Sequence, residues 1–210
     1  MVDSYGAIAD SLNHARARFD LEPLALSTVR AEVGHGLERL IGRWVGTERI
    51  DDGVRLFRER YAQVFPDKTV ALPGVDAAIL ALARAGYRLA LASNKPARFS
   101  SAILRQLGWL ELFCAVEGPD TVGTAKPDPL MLGACRSALG TSAEQTRYVG
   151  DMPLDAVSGK RAGIEVILVA GGSAGEAELR SAGPPVLAGF SSLPGFLSDL
   201  GWPACDPDRA

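Results

Sequence analysis

The sequence predicts an α/β protein: a doubly wound, mostly parallel sheet preceded by a separate helical domain. Three observations carry that prediction. From residue 74 onward, strand-length apolar runs alternate with helix-length patterns, the grammar of a parallel sheet covered by helices. A run such as Leu89-Ala90-Leu91-Ala92 is apolar throughout, as a strand covered on both faces requires. Residues 3 to about 70 hold helical periodicities and no convincing strand. The expected division is a helical domain over 3–72, an α/β core over 73–201 and a Pro- and Asp-rich tail over 202–210 that should fray.

In the first domain, Ile8, Leu12, Ala15 and Phe19 recur at helical spacing. A second pattern spans 27–44, with Val33, Leu37, Leu40 and Ile41 on one side, and is interrupted by Gly34-His35-Gly36. A third spans 51–65, with Val54, Phe57, Tyr61 and Phe65. After Pro73-Gly74 a helix is expected over 75–85 and stops at Gly86. A strand follows over 88–93, then a helix over 97–107 closed by Gly108. The next strand is 113–117, and residues 118–129 read as a loop. A helix over 130–139, a strand over 146–150, a helix over 153–162 and a strand over 165–170 continue the alternation. Glycines 171, 172 and 175 mark a loop, and a short strand at 186–188 precedes a last helix at 193–200.

Bulk composition narrows the function classes. The chain has 210 residues, 47% hydrophobic and 22% charged, the ordinary globular balance. A net charge of −3 without long runs of one sign gives no nucleic-acid or membrane surface. Four lysines stand against eighteen arginines, and Lys95, Lys126 and Lys160 fall near strand ends or loops. The N-terminus has no basic segment with an apolar core, and Arg84 and Arg88 cut the most apolar stretch, so neither a signal peptide nor a membrane span is expected. Cys114, Cys135 and Cys205 are odd in number and widely spaced, which suits reduced thiols in a cytoplasmic protein. A monomer or homodimer is expected.

The chemistry gathers at the predicted strand ends. Tyr148-Val149-Gly150-Asp151 reads as a strand ending in a carboxylate, with Asp155 four residues on at a helix start. Acids so spaced can share one space one turn apart, which suits Mg²⁺. Capping of the helix N-terminus is the alternative reading. Ser93-Asn94 ends the strand at 89, and Lys126 lies in the loop after the strand at 113. Loops at the carboxyl ends of such strands converge on one edge. A hydroxyl, a cation and two acids together suit a phosphoryl group and its metal. Taken singly, Ser93 also reads as a turn former and Lys126 as a solvated loop cation.

From residue 2 onward the chain resembles the haloacid dehalogenase-like phosphatases, in particular the phosphoglycolate phosphatase-like branch. Ser93-Asn94-Lys95-Pro96 matches that family's second motif, Lys126-Pro127-Asp128-Pro129 its third, and Gly150-Asp151 with Asp155 its fourth. Val2-Asp3-Ser4 matches the residues just after the first motif, and the helical segment matches the cap. The resemblance implies a Rossmann-like core with an inserted helical cap, Mg²⁺ as cofactor and a small phosphorylated metabolite as substrate, with 2-phosphoglycolate leading. It implies that Ser93 hydrogen-bonds the transferring phosphoryl group with Asn94 beside it, and that Lys126 offsets negative charge. It makes Asp151 a metal ligand that Asp155 supports directly or through water. Gly34, His35 and Gly36 occupy the place of the cap's specificity loop, and Arg39 and Arg43 could face substrate or form a solvated helix face.

The family's first motif, Asp-x-Asp-Gly-Thr, would lie before residue 1. Its first Asp is the nucleophile that becomes an aspartyl-phosphate, and its second the general acid/base. Asp3 and Asp10 fall in the linker and first helix and are not substitutes. The segment would also supply the central strand, so the strands at 89 and 146 should each face an empty slot. The expectation is therefore a chain shortened at its start and inactive as written. The alternative is a non-catalytic phosphate-binding or interaction protein, a pseudo-phosphatase.

Overall fold

The computed structural model describes residues 1–34 and 36–202. His35 and the expected fraying tail from 203 onward lie outside the described residues. The chain divides into two compact units, Val2–Val70, and Met1 together with the chain from Ala71 onward.

In the first unit the helices are α1 (Tyr5–Ala17), α2 (Leu26–Glu32), α3 (Leu37–Trp44) and α4 (Ile50–Val64). The break between α2 and α3 falls at the predicted interruption, where Gly34 and Gly36 hold φ of 121° and 98°. Helix α1 packs on α4, burying Ile8, Leu12 and Ala15 with Val54, Phe57 and Tyr61. Phe57, Tyr61 and Phe65 stack at successive centroid distances of 5.7 Å. Arg60 and Lys68 both bond Asp10, at 2.6 and 2.5 Å, and hold its carboxyl below the usual range. No strand is predicted in this part of the sequence, yet two short ones, β1 (Val2–Asp3) and β2 (Val70–Ala71), pair with each other. Two residues are too few to display an alternating pattern.

The second unit alternates as predicted: α5 (Val75–Arg84), β3 (Leu89–Ala92), α6 (Ala97–Gln106), β4 (Phe113–Glu117), α7 (Pro119–Val122), α8 (Leu130–Leu139), β5 (Arg147–Gly150), α9 (Pro153–Ala162), β6 (Glu165–Val169), α10 (Glu176–Ser181), β7 (Val186–Leu187) and α11 (Leu193–Asp199). The short helices α7 and α10 lie in segments that read as loops in sequence. Strand β6 carries the core. Ile167 and Val169 join Leu82, Leu193 and Leu197, while Val166 and Leu168 join Ala156 and Leu179. Period-two alternation thus buries both faces of one strand.

The parallel strands form two separate sheets, β3–β4 and β5–β6–β7. Among the described residues β3 pairs with β4 alone, and β5 with β6 alone. The residues of β3 and β5 are only half-buried, whereas four of the five in β6 are buried. The run at 89–92, expected to be covered on both faces, is thus less fully buried than the sequence suggests. No helix among the described residues is long and apolar enough to cross a membrane.

Candidate active site

The predicted site residues of the second unit assemble around Lys126. Its backbone is fixed first. Asn94, just past β3, accepts from the Lys126 N–H at 2.7 Å and donates to the Lys126 carbonyl at 3.3 Å. This reciprocal pair ties the loop after β4 to the end of β3. The Lys126–Pro127 peptide is cis. The ammonium is fixed next: Nζ donates to Asp155 Oδ1 and to Tyr148 Oη, both at 2.8 Å. The Lys126 and Asp155 side chains are 12% and 4% exposed, so water screens the pair poorly. An ammonium has three N–H donors. Two are spent on Asp155 and Tyr148, and one is left for an incoming oxygen.

Asp155 is more occupied than the sequence suggests. Its Oδ1 also accepts from Tyr148 Oη at 2.7 Å, and its Oδ2 accepts from the backbone N–H groups of Asp151 and Met152 at 3.0 and 3.1 Å. The last bond is the backward reach of a third-position acid over a helix start. For Asp155 the structure therefore shows the capping role set out above as the alternative. To ligate a metal it would have to release one of these partners.

Asp151 is placed differently. Its Oδ2 accepts from Ser173 N at 2.7 Å, and its carbonyl accepts from Ala174 N at 3.2 Å. The loop after β6 thus aims this carboxylate. Two glycines leave the room. A Cβ on Gly172 would meet Asp151 Oδ2 at 2.1 Å, and one on Gly150 would meet Asp155 Cβ at 2.3 Å. No cluster of three acidic, His or Cys side chains exists among the described residues. Mg²⁺ typically takes one or two protein carboxylates and completes its shell with phosphate and water. Asp151, with one oxygen not engaged by protein, fits that pattern as a single anchoring ligand.

Ser93 N–H donates to the Glu117 carbonyl at 3.1 Å, and Ser93 Oγ accepts from Lys95 N–H at 3.1 Å. The hydroxyl proton remains able to donate to a ligand oxygen. Lys95, beside it, is half-buried, and desolvation holds its pKa down at about 8. The N-terminus of α6 is closed to ligands, since Asp120 accepts from Ala97 N–H at 2.6 Å. The Met1 amino group is buried and its pKa lowered by desolvation, against the opposing pull of Asp151 and Asp155.

Gly34, Gly36 and Arg39 belong to the first unit. Arg39 is exposed at the start of α3, and Arg43 pairs with Glu32 at 3.2 Å. Sequence reasoning assigned no role to Tyr148. Burial, together with Asp155 and Asp151, raises its phenol pKa well above 10.0, so it stays a neutral donor. A Tyr inside a short, half-buried strand needs a partner for its hydroxyl, and that was the available signal.

Residues 1–169 match the sequence model of the haloacid dehalogenase-like hydrolases. The chain belongs to that family. Among its relatives, phosphoglycolate phosphatase of Psychrobacter arcticus is 31% identical over 209 residues, covering 94% of this chain and 91% of the relative. Phosphoglycolate phosphatase of Rhodospirillum rubrum is 34% identical, covering all of this chain and 90% of the relative. A haloacid dehalogenase-like protein of known structure from Streptococcus pneumoniae superposes with a TM-score of 0.85 at 17% identity, over 94% of this chain and 93% of its own. The hydrolase fold read from the motifs is thereby established.

Proposed function

We propose that this protein is a Mg²⁺-dependent phosphatase of a small phosphorylated metabolite in the cytoplasm, with 2-phosphoglycolate the leading substrate. The observation that carries the reading is the hold on Lys126: Asn94 fixes its backbone, and Tyr148 and Asp155 fix its ammonium. A preorganised, half-buried cation that keeps one free donor suits a phosphoryl oxygen. Relatives named phosphoglycolate phosphatase support the substrate class.

In this reading the Ser93 hydroxyl and the Lys126 ammonium bind the phosphoryl oxygens, and Asp155 acts through Lys126. Asp151 holds Mg²⁺, which when bound offsets charge on the phosphoryl group. The helical unit supplies selectivity through Gly34, His35, Gly36 and Arg39. The family's nucleophile and acid/base are the two acids of its first motif, which has no match within residues 1–210. The test reads the in-frame codons upstream of Met1 and assays the longer product on a panel of phosphate esters. Mg²⁺-dependent release, highest on 2-phosphoglycolate, is expected. A stop codon there, or a silent longer product, would overturn the reading.

The alternative, a non-catalytic phosphate binder, is favoured by one observation. All four hydrogen bonds to Asp155 come from the protein itself, which leaves it unfit as a nucleophile. Micromolar phosphate binding without turnover by the longer product would support this second reading.

A further inference from the structure

We propose that the backbone over 172–174 is a positioning element of the metal site: it holds Asp151 to a one-oxygen grip and so sets which ions the site accepts. The inference rests on Asp151 as the metal ligand of the function proposed above. It goes beyond that reading to backbone groups of residues that carry no charge.

Three observations carry it. The first is how completely Asp151 is held. Its N–H donates to Asp155 Oδ2 at 3.0 Å, its carbonyl accepts from Ala174 N–H at 3.2 Å, and its Oδ2 accepts from Ser173 N–H at 2.7 Å. The second is close packing. A Cβ on Gly172 would lie 2.1 Å from Asp151 Oδ2 and 2.6 Å from its Cγ, so the loop covers the Oδ2 side of the carboxylate. Asp151 cannot turn that oxygen to an ion without displacing the loop. The third is the neighbouring acid. Both Asp155 oxygens are taken up by Lys126, Tyr148 and the N–H groups of Asp151 and Met152. Of the four oxygens on the two acids, Asp151 Oδ1 alone is left for an ion.

That single oxygen decides the ion. Ca²⁺ takes about six to eight oxygens at roughly 2.3–2.6 Å, often both oxygens of one carboxylate. Mg²⁺ is octahedral at about 2.0–2.1 Å, needs only one or two carboxylates and keeps several waters. Mn²⁺ suits the same octahedral oxygen shell. One fixed oxygen serves the small ions and fails the large one. Freeing Oδ2 would let Asp151 grip with both oxygens, which weakens its fit to Mg²⁺ and admits Ca²⁺. Hydrogen-bond partners of a ligating carboxylate are worth roughly 10–100-fold in metal affinity.

The test titrates the intact chain with Mn²⁺, read by the electron spin resonance of the free ion, with Mg²⁺ and Ca²⁺ as competitors. Ser173→Pro removes the N–H, Ser173→Ala keeps it, and Gly172→Ala pushes on Oδ2 as a second route to the same displacement. The unaltered chain and Ser173→Ala should each bind one Mn²⁺, displaced by Mg²⁺ and about tenfold less readily by Ca²⁺. Ser173→Pro and Gly172→Ala, with cooperative melting retained, should bind Mn²⁺ about tenfold more weakly and lose the preference over Ca²⁺. The ratio matters because a merely structural role would weaken all three ions alike. Asp151→Asn should abolish Mn²⁺ binding. Mn²⁺ that never binds, or that survives Asp151→Asn, would overturn the proposal together with the metal reading. Binding that needs Asp151 but keeps one Mn²⁺-to-Ca²⁺ ratio in every loop variant would overturn the proposal alone and leave the phosphatase reading standing.

Discussion

At the scale of single residues, the site is a set of constraints on one ammonium. Tyr148 both donates to Asp155 and accepts from Lys126, so it fixes the direction of the remaining Lys126 donor. Tyr148→Phe keeps the Lys126–Asp155 pair and deletes two part-buried hydrogen bonds. The expected cost is about 1–2 kcal/mol in urea unfolding, with a several-fold loss in affinity for inorganic phosphate or vanadate by calorimetry. Unchanged anion affinity at that stability cost would reduce Tyr148 to a packing role. Gly150→Ala places a methyl group 2.3 Å from Asp155 Cβ. The acid must move, and a loss on the order of 1–3 kcal/mol is expected, read as a lowered Tm together with weakened phosphate binding.

Lys95 gives a pH signature. Its pKa is about 8 folded, against the ordinary 10.5. Below pH 8 both states carry the proton, and the native state bears the full cost of burying the charge. Between pH 8 and 10.5 the unfolded chain binds more protons, so stability rises with pH across that window. The full shift corresponds to about 3 kcal/mol. Lys95→Met should be more stable at pH 7 and should flatten the rise, as measured by denaturant unfolding at pH 7, 9 and 10.

At the scale of elements, legibility followed length. Strands of four residues or more and helices of seven or more stand where the apolar periodicities place them, from the turn at Pro73-Gly74 to α11. Of the shorter elements only β7 was legible. β1 and β2 have two residues each, and the six polar-rich residues of α10 hide behind a glycine-rich approach. The location of the site was legible too, because strand-end residues converge in this topology. The division of labour within it was not. Whether Asp155 is a metal ligand or an anchor depends on Lys126, 29 residues earlier in the chain, and on two backbone N–H groups beside it. Composition likewise made β3 look covered, because an apolar run reports what a strand can bury and not which neighbour buries it.

At the scale of the whole molecule, the two compact units are built by different means. The helical unit closes on α1 and α4 with stacked aromatic rings and the Asp10 pairs. The α/β unit closes on β6, whose two faces serve both helical layers. Each has its own buried cluster, so a change such as Gly150→Ala should leave the packing of Val54, Phe57 and Tyr61 untouched.

The grip of the β6–α10 loop on Asp151 has a consequence for how the gene can vary. Ser173 and Ala174 reach back to Asp151 across a glycine that cannot carry a side chain. Codons added or lost between 170 and 174 would turn that carboxylate away from the site, so this glycine-containing stretch is a ruler although it looks like an ordinary spacer.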